Sequence, residues 1–251
     1  MAGRKRARGG GGWERGSTRV ALERGVVDVW RAELAVGEGR LRELEGTLSE
    51  EERARSERLA RGRERFLAAR GILRAILERY LGVDGARLRF REEGRYGKPI
   101  IAGEFEGALR FNLSHSGGLA LYAVSGEREV GVDVEEIRRD MEPERIAEQF
   151  FTRGELAALR ALGDEERMRA FYRCWTRKEA YLKATGRGLS VRLDSFEVPV
   201  AGTEEEAFEI EGAEGTRWRV EDLAVADGYA GAVGAEGTDW GVRRWTWEDA
   251  G

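Results

Sequence analysis

The feature that most constrains this chain is a recurrence. Gly118, Gly131 and Val132 return about 110 residues later as Gly228, Gly241 and Val242, and Arg70 precedes Leu88 by the same distance as Lys178 precedes Phe196. A chain of 251 residues that repeats itself once is long enough for two halves of ordinary domain size, each burying its own core. Each half reads as a long helix with strands that alternate apolar and polar residues. The expectation is an α+β protein with pseudo-two-fold character: two similar halves, each a long helix packed on an antiparallel sheet, with a ligand cleft between them. The halves are expected at residues 17–125 and 126–251, after a Gly/Arg-rich tail over 1–16 that reads as disordered.

The local signals fill in this scheme. Val26 to Leu34 alternates like a strand. Ser49 with Glu52 forms a capping box and predicts a long helix from there to about Leu81. Its apolar face carries Leu59, Phe66, Ile72, Leu73, Ile76, Leu77 and Tyr80; the other is crowded with Arg53, Arg55, Arg58, Arg61, Arg65 and Arg70. Strands follow at Leu88 to Arg91, Leu109 to Leu113, Leu119 to Val124 and Val130 to Glu135. A short helix follows Pro143. Thr152 with Glu155 is a second capping box, stapled by Phe151 and Leu156. Further strands are predicted near Ser195–Val200, Glu206–Ile210, Arg217–Leu223, Tyr229–Val233 and Gly241–Trp247.

Composition excludes several classes. A net charge of −4 with 36% charged residues of both signs argues against a nucleic-acid binder. No apolar run approaches a membrane span, and the basic start lacks the apolar segment of a secretory signal. One cysteine, Cys174, cannot form an internal disulfide and suits a reducing cytoplasm. No Cys/His spacing resembles a zinc site, so a metal here must be held by carboxylates, which points to Mg²⁺, Mn²⁺ or Ca²⁺.

The chemistry-bearing residues gather in a few stretches. Cys174 to Lys183, CWTRKEAYLK, reads as mid-helix, and Trp175, Glu179 and Lys183 fall on one face. By itself this face is a core tryptophan beside a solvated ion pair. Only four of the 43 basic residues are Lys, however, and Lys178 and Lys183 lie here while Lys98 sits in Gly97-Lys98-Pro99. A surviving Lys in an Arg-rich chain suggests a place that wants a compact ammonium. On the strand Gly131 to Glu136, Asp133 and Glu135 point to one face. Two carboxylates that close repel unless a cation lies between them. With Glu179 they would make a three-carboxylate site suited to Mg²⁺. Phe111 to Gly118, FNLSHSGG, ends a strand in a polar turn whose backbone amides, Ser114, Ser116 and His115 can hold an anion. Arg58, Arg65 and Lys98 could cluster on a polyanion, or the arginines could belong to a solvated helix face. No Walker loop or dinucleotide fingerprint is present. A divalent metal, a pyrophosphate and several cations point to phosphoryl-type transfer by positioning and charge neutralisation.

These residues resemble the 4′-phosphopantetheinyl transferases of the larger, surfactin-synthetase-activating type. The resemblance rests on Val130-Gly131-Val132-Asp133-Val134-Glu135, then Trp175-Thr176-Arg177-Lys178-Glu179-Ala180-Tyr181-Leu182-Lys183, with Gly97-Lys98-Pro99 and Asn112 to Ser116 upstream in the family's order. It implies an enzyme that moves the phosphopantetheine arm of coenzyme A onto a serine of an apo carrier protein and releases adenosine 3′,5′-bisphosphate. It also implies Mg²⁺, with Mn²⁺ as the alternative, held by Asp133, Glu135 and Glu179. Lys183 would neutralise or protonate the leaving phosphate, and Glu179 would help deprotonate the serine. Arg58, Arg65, Gly97, Lys98, Pro99, Asn112, Ser114, His115, Lys178 and Lys183 would contact coenzyme A. The N-terminal half would bind coenzyme A and the C-terminal half the metal, within a monomer. A Mg²⁺-dependent nucleotide phosphohydrolase would use the same acids and lysines, and a non-catalytic module that binds coenzyme A or carrier proteins is a third reading.

Overall fold

The structure, a computed structural model, describes residues 12–94, 97–188, 191–200 and 207–248. Strand β1 (Glu14–Arg15) precedes β2 (Val26–Glu33), α1 (Glu38–Gly46), α2 (Glu50–Glu57) and the long α3 (Arg63–Leu81). The hairpin β3 (Arg89–Glu93) and β4 (Lys98–Ala102) leads to β5 (Arg110–Ser116), β6 (Leu119–Ser125) and β7 (Val130–Glu136). Then come α4 (Pro143–Phe150), α5 (Arg153–Arg160) and the long α6 (Asp164–Thr185). The chain closes with β8 (Ala207–Glu211), β9 (Arg217–Asp222), β10 (Tyr229–Glu236) and β11 (Gly241–Thr246).

Three expectations need correction. The helix predicted from Ser49 to Leu81 is two helices, because Gly62 turns into the left-handed region at φ 79° between α2 and α3. The strand expected at Ser195–Val200 is a short 3₁₀ turn, Leu193–Ser195, followed by irregular chain, and Glu206 lies outside the described residues. Of the tail, residues 1–11 lie outside the described residues, but the chain is already placed from residue 12. Glu14 and Arg15 pair in parallel with β11, and the Trp13 indole donates to the Ala224 carbonyl.

Two sheets carry the molecule, in the orders β1-β11-β2-β6-β5 and β7-β10-β9-β8. The first sheet takes β11 from the C-terminal half, and all four strands of the second come from that half. β7 follows β6 but pairs antiparallel with β10, while β11 follows β10 but lies beside β2. The residues of the sequence recurrence sit at matching places in this exchange, Gly131 on β7 and Gly241 on β11. Strand β2, inserted between β11 and β6, is what breaks the match between the sheets. The apolar faces of β2, β6, β7 and β10 bury Val29, Leu121, Val132 and Val233 in one central core, and α3 and α6 each close a further core.

The two long helices are fastened in the same way. Both capping boxes form, and in each the capping glutamate reaches a buried cation on the long helix. Glu52 holds Arg74 of α3, whose Nη1 donates to the carbonyls of Gly85 and Leu88. Glu155 holds Lys178 of α6 at 2.8 Å, and Lys178 Nζ donates to the carbonyls of Leu193 and Phe196. Each pair of carbonyls brackets a 3₁₀ turn. Contacts thus pair Lys178 with Arg74, one helical turn beyond Arg70. On its opposite side α6 lies directly on β7 and β10. A Cβ at Gly131 would fall 2.2 Å from the Ala180 carbonyl oxygen, so only glycine lets the helix backbone come this close. Among the described residues no helix is long and apolar enough to cross a membrane.

Candidate active site

The site forms where the two sheets meet. β5 and β7 are edge strands of different sheets and are joined side chain by side chain. Asn112 Oδ1 accepts from the Val132 amide at 3.0 Å. Ser114 Oγ donates to Asp133 Oδ1 at 2.7 Å, and Ser116 Oγ donates to Glu135 Oε2 at 2.7 Å. The alternation of FNLSHS explains the division of labour. Asn112, Ser114 and Ser116 turn towards β7, while Phe111 and Leu113 pack on the α3 core and His115 stays exposed. Above this seam α6 presents Glu179 and, four residues on, Lys183, as helical spacing requires. Lys183 Nζ donates to Asp133 Oδ1 at 2.6 Å and to Ser114 Oγ at 2.9 Å.

The electrostatics of the acids are coupled. Burial pushes the Glu179 carboxyl above the usual carboxylate range, Asp133 and Glu135 add to the rise, and Lys183 opposes it. Burial likewise raises Glu135, against the bond from Ser116 and with the charge of Asp133. Asp133 is 2% exposed, and its Oδ2 is buried without a hydrogen-bond partner. Among the described residues no three acidic, His or Cys side chains are already gathered as a metal-ligand set. The donors nevertheless fit a hard cation. An orphaned buried carboxylate oxygen, beside two carboxyls whose ionisation burial and neighbouring charge disfavour, is what a divalent ion would relieve.

A cleft of 1330 Å³ runs from α2 and α3 past the β3–β4 hairpin to His115. Of the residues expected to contact coenzyme A, Gly97, Pro99 and His115 line it. Although His115 keeps an exposed edge, the protein packed around its ring desolvates it and lowers its pKa, and the positive charges of Lys183 and Arg65 lower it further, so Arg65 acts on the cleft electrostatically from an exposed position. Arg58 caps α2 and folds back onto the Ala54 carbonyl. Lys98 spends its donors on Glu129 and on the carbonyls of Val130 and Ala184, tying β4 to β7 and to the end of α6, and burial lowers its pKa. Lys178 corrects an expectation. Its side chain is 0% exposed, and its ammonium is committed to Glu155, Leu193 and Phe196, away from the cleft. The spacing of one residue from Glu179 is the reason: neighbours on a helix point about 100° apart, so the two cannot serve the same cleft.

Sequence reasoning missed Arg89 and Arg91, which line the cleft with Phe90. The signal was there, because on β3 both arginines alternate with Phe90, which meets Arg70 and Arg74 through its ring.

The profile of the 4′-phosphopantetheinyl transferase superfamily matches residues 129–234, the stretch that holds β7, α6 and β10. The chain belongs to this superfamily. It is 41% identical over 222 residues to the 4′-phosphopantetheinyl transferase HetI of Nostoc sp., covering 87% of this chain and 91% of that one. The 4′-phosphopantetheinyl transferase Sfp of Bacillus subtilis is 31% identical over 170 residues, 67% of this chain and 72% of Sfp. Among solved structures, holo-[acyl-carrier-protein] synthase of Thermotoga maritima aligns at 22% identity with a TM-score of 0.29, over 43% of this chain and 62% of that one.

Proposed function

We propose that this transferase moves the phosphopantetheine arm of coenzyme A onto a serine of an apo carrier protein and releases adenosine 3′,5′-bisphosphate. The observation that carries the reading is the contact of Lys183 with Asp133 over the β5–β7 seam, where the charges of Asp133 and Glu135 also act on Glu179, beside an arginine-lined cleft that reaches His115 of β5. Asp133, Glu135 and Glu179 would hold Mg²⁺, or Mn²⁺ in its place. When bound, the ion would neutralise charge on the pyrophosphate. The chain's own contribution is positioning. Arginines of the cleft hold the polyanion, Lys183 supplies a cation and a proton to the departing phosphate, and Glu179 is the carboxylate nearest in role to a base for the serine hydroxyl. The reading places the work in the cytoplasm and in a monomer, since the seam and α6 come from one chain. The buried Cys174, whose thiol burial pushes far up, suits a reducing compartment.

The test is intact-mass spectrometry of an apo carrier protein incubated with this protein, coenzyme A and Mg²⁺. The carrier is expected to gain one phosphopantetheine and to lose that gain with EDTA. Coenzyme A cleaved without a carrier would point to a hydrolase, and coenzyme A bound without transfer would leave only a binding module.

The surroundings of His115 add a second expectation. Burial, and after it the charges of Lys183 and Arg65, hold its pKa down in the free protein, and a polyanion beside those cations would raise it again. Coenzyme A binding near pH 6, just below the ordinary histidine value, should therefore take up a fraction of a proton. Calorimetry in buffers of different ionisation enthalpy reads this uptake directly. It should vanish in His115→Asn, and uptake that persists there would place the titration elsewhere.

A further inference from the structure

We infer that Ser116 is a positioning residue for the acid pair on β7, an inference that rests on the proposed metal-dependent transfer. In the sequence Ser116 is one more hydroxyl of a polar turn able to hold an anion. The structure gives that hydroxyl two bonds, both to β7. It donates to Glu135 Oε2 at 2.7 Å and accepts from the Glu136 amide at 3.1 Å. The donor is spent on a carboxylate and an acceptor site on the backbone.

The seam has a regular logic. β5 and β7 run alongside each other, and every second residue of β5 reaches β7 about 19–20 positions further along the chain. Asn112 fixes the Val132 amide, Ser114 fixes Asp133, and Ser116 fixes Glu135 together with the Glu136 amide. Each serine binds one named oxygen of its acid. On Asp133 the consequence is visible: Oδ1 takes both Ser114 and Lys183, while Oδ2 is buried and without a partner. Ser116 does the same for Glu135 through Oε2, leaving the other oxygen as the one to present. The hydroxyl itself is placed by the turn that follows. Gly117 has φ 56°, a Cβ there would fall 2.6 Å from Glu136 Oε2, and the Gly118 amide donates to the Tyr229 hydroxyl. Without Ser116 the longer, half-buried Glu135 side chain would lose its orientation, and outer-sphere partners of this kind are commonly worth ten- to a hundredfold in metal affinity.

The experiment compares wild type, Ser116→Ala, Ser116→Thr and Glu135→Gln. Mn²⁺ binding is followed by loss of the free-ion paramagnetic signal, and coenzyme A binding by calorimetry in EDTA. Ser116→Ala should weaken Mn²⁺ binding about tenfold or more, leave coenzyme A affinity within about twofold, and keep the thermal midpoint near wild type. Ser116→Thr, which keeps the hydroxyl, should recover most of the Mn²⁺ affinity. Ser116→Ala binding Mn²⁺ like wild type while Glu135→Gln does not would overturn the positioning role alone. Weakened coenzyme A binding with unchanged Mn²⁺ affinity would make Ser116 an anion ligand and overturn it too. Glu135→Gln binding Mn²⁺ as well as wild type would remove the metal reading itself, and the inference with it.

Discussion

Glu179→Gln and Lys183→Ala are each expected to abolish carrier loading in a protein that stays folded. Glu179 is half-buried on α6, and its carboxyl is raised by burial and by the charges of Asp133 and Glu135. The amide keeps the shape and removes the charge, so the core loses nothing and the site loses one of its three acids. Lys183 is 29% exposed and supplies the cation on Asp133 Oδ1, so truncating it leaves Ser114 as the remaining partner of that oxygen. A group that stabilises developing charge in a dry site is worth roughly 10²–10³-fold in turnover, and each substitution should cost at least that much. The measurement is the rate of mass gain on an apo carrier, run beside a circular dichroism melt. If either variant unfolds at room temperature, the Trp175–Glu179–Lys183 face is there for stability and the catalytic assignment falls.

Much of this was legible because it is written in short-range periodicity. Both capping boxes, the apolar alternation of β5 to β7 and the shared face of Glu179 and Lys183 follow from residue spacing alone, whereas the break at Gly62 and the irregular chain after Ser195 do not. What the spacing could not show is which neighbour each face meets. Lys98 and Lys178 stand out as rare lysines, and rarity marked both as positions with a special demand. For Lys178 the demand proved to be a buried acceptor set, Glu155 and two carbonyls. The β5–β7 seam lay beyond reach for the same reason, since it joins edge strands of two sheets through side chains and has no local signature. The recurrence, by contrast, carried long-range information. It sets Asp133 of β7 opposite Arg243 of β11, and the Arg243 guanidinium lies on both carboxylate oxygens of Asp28.

Lys178→Met is expected to produce a large loss of stability, with coenzyme A affinity nearly intact. Glu155 is 2% exposed at its side chain, and Lys178 is the cation beside it. The glutamate would keep its bonds from the Thr152 and Val198 amides but hold an uncompensated charge in the core of the C-terminal half. The carbonyls of Leu193 and Phe196 would lose their donor at the same stroke. Breaking a buried pair from one side costs about 3–5 kcal/mol, which for a chain of this size lowers the melting midpoint by on the order of 10 °C. Pairing the change with Glu155→Gln removes the orphaned charge, and the double variant should recover a good part of the loss. Thermal melts of the three variants against wild type test the buried pair, and calorimetry with coenzyme A tests the assignment. A Lys178→Met protein that melts like wild type but binds coenzyme A tenfold more weakly would return this lysine to the cleft. The opposite pattern would establish that the residue beside Glu179 in sequence serves the helix, so that Glu179 can serve the site.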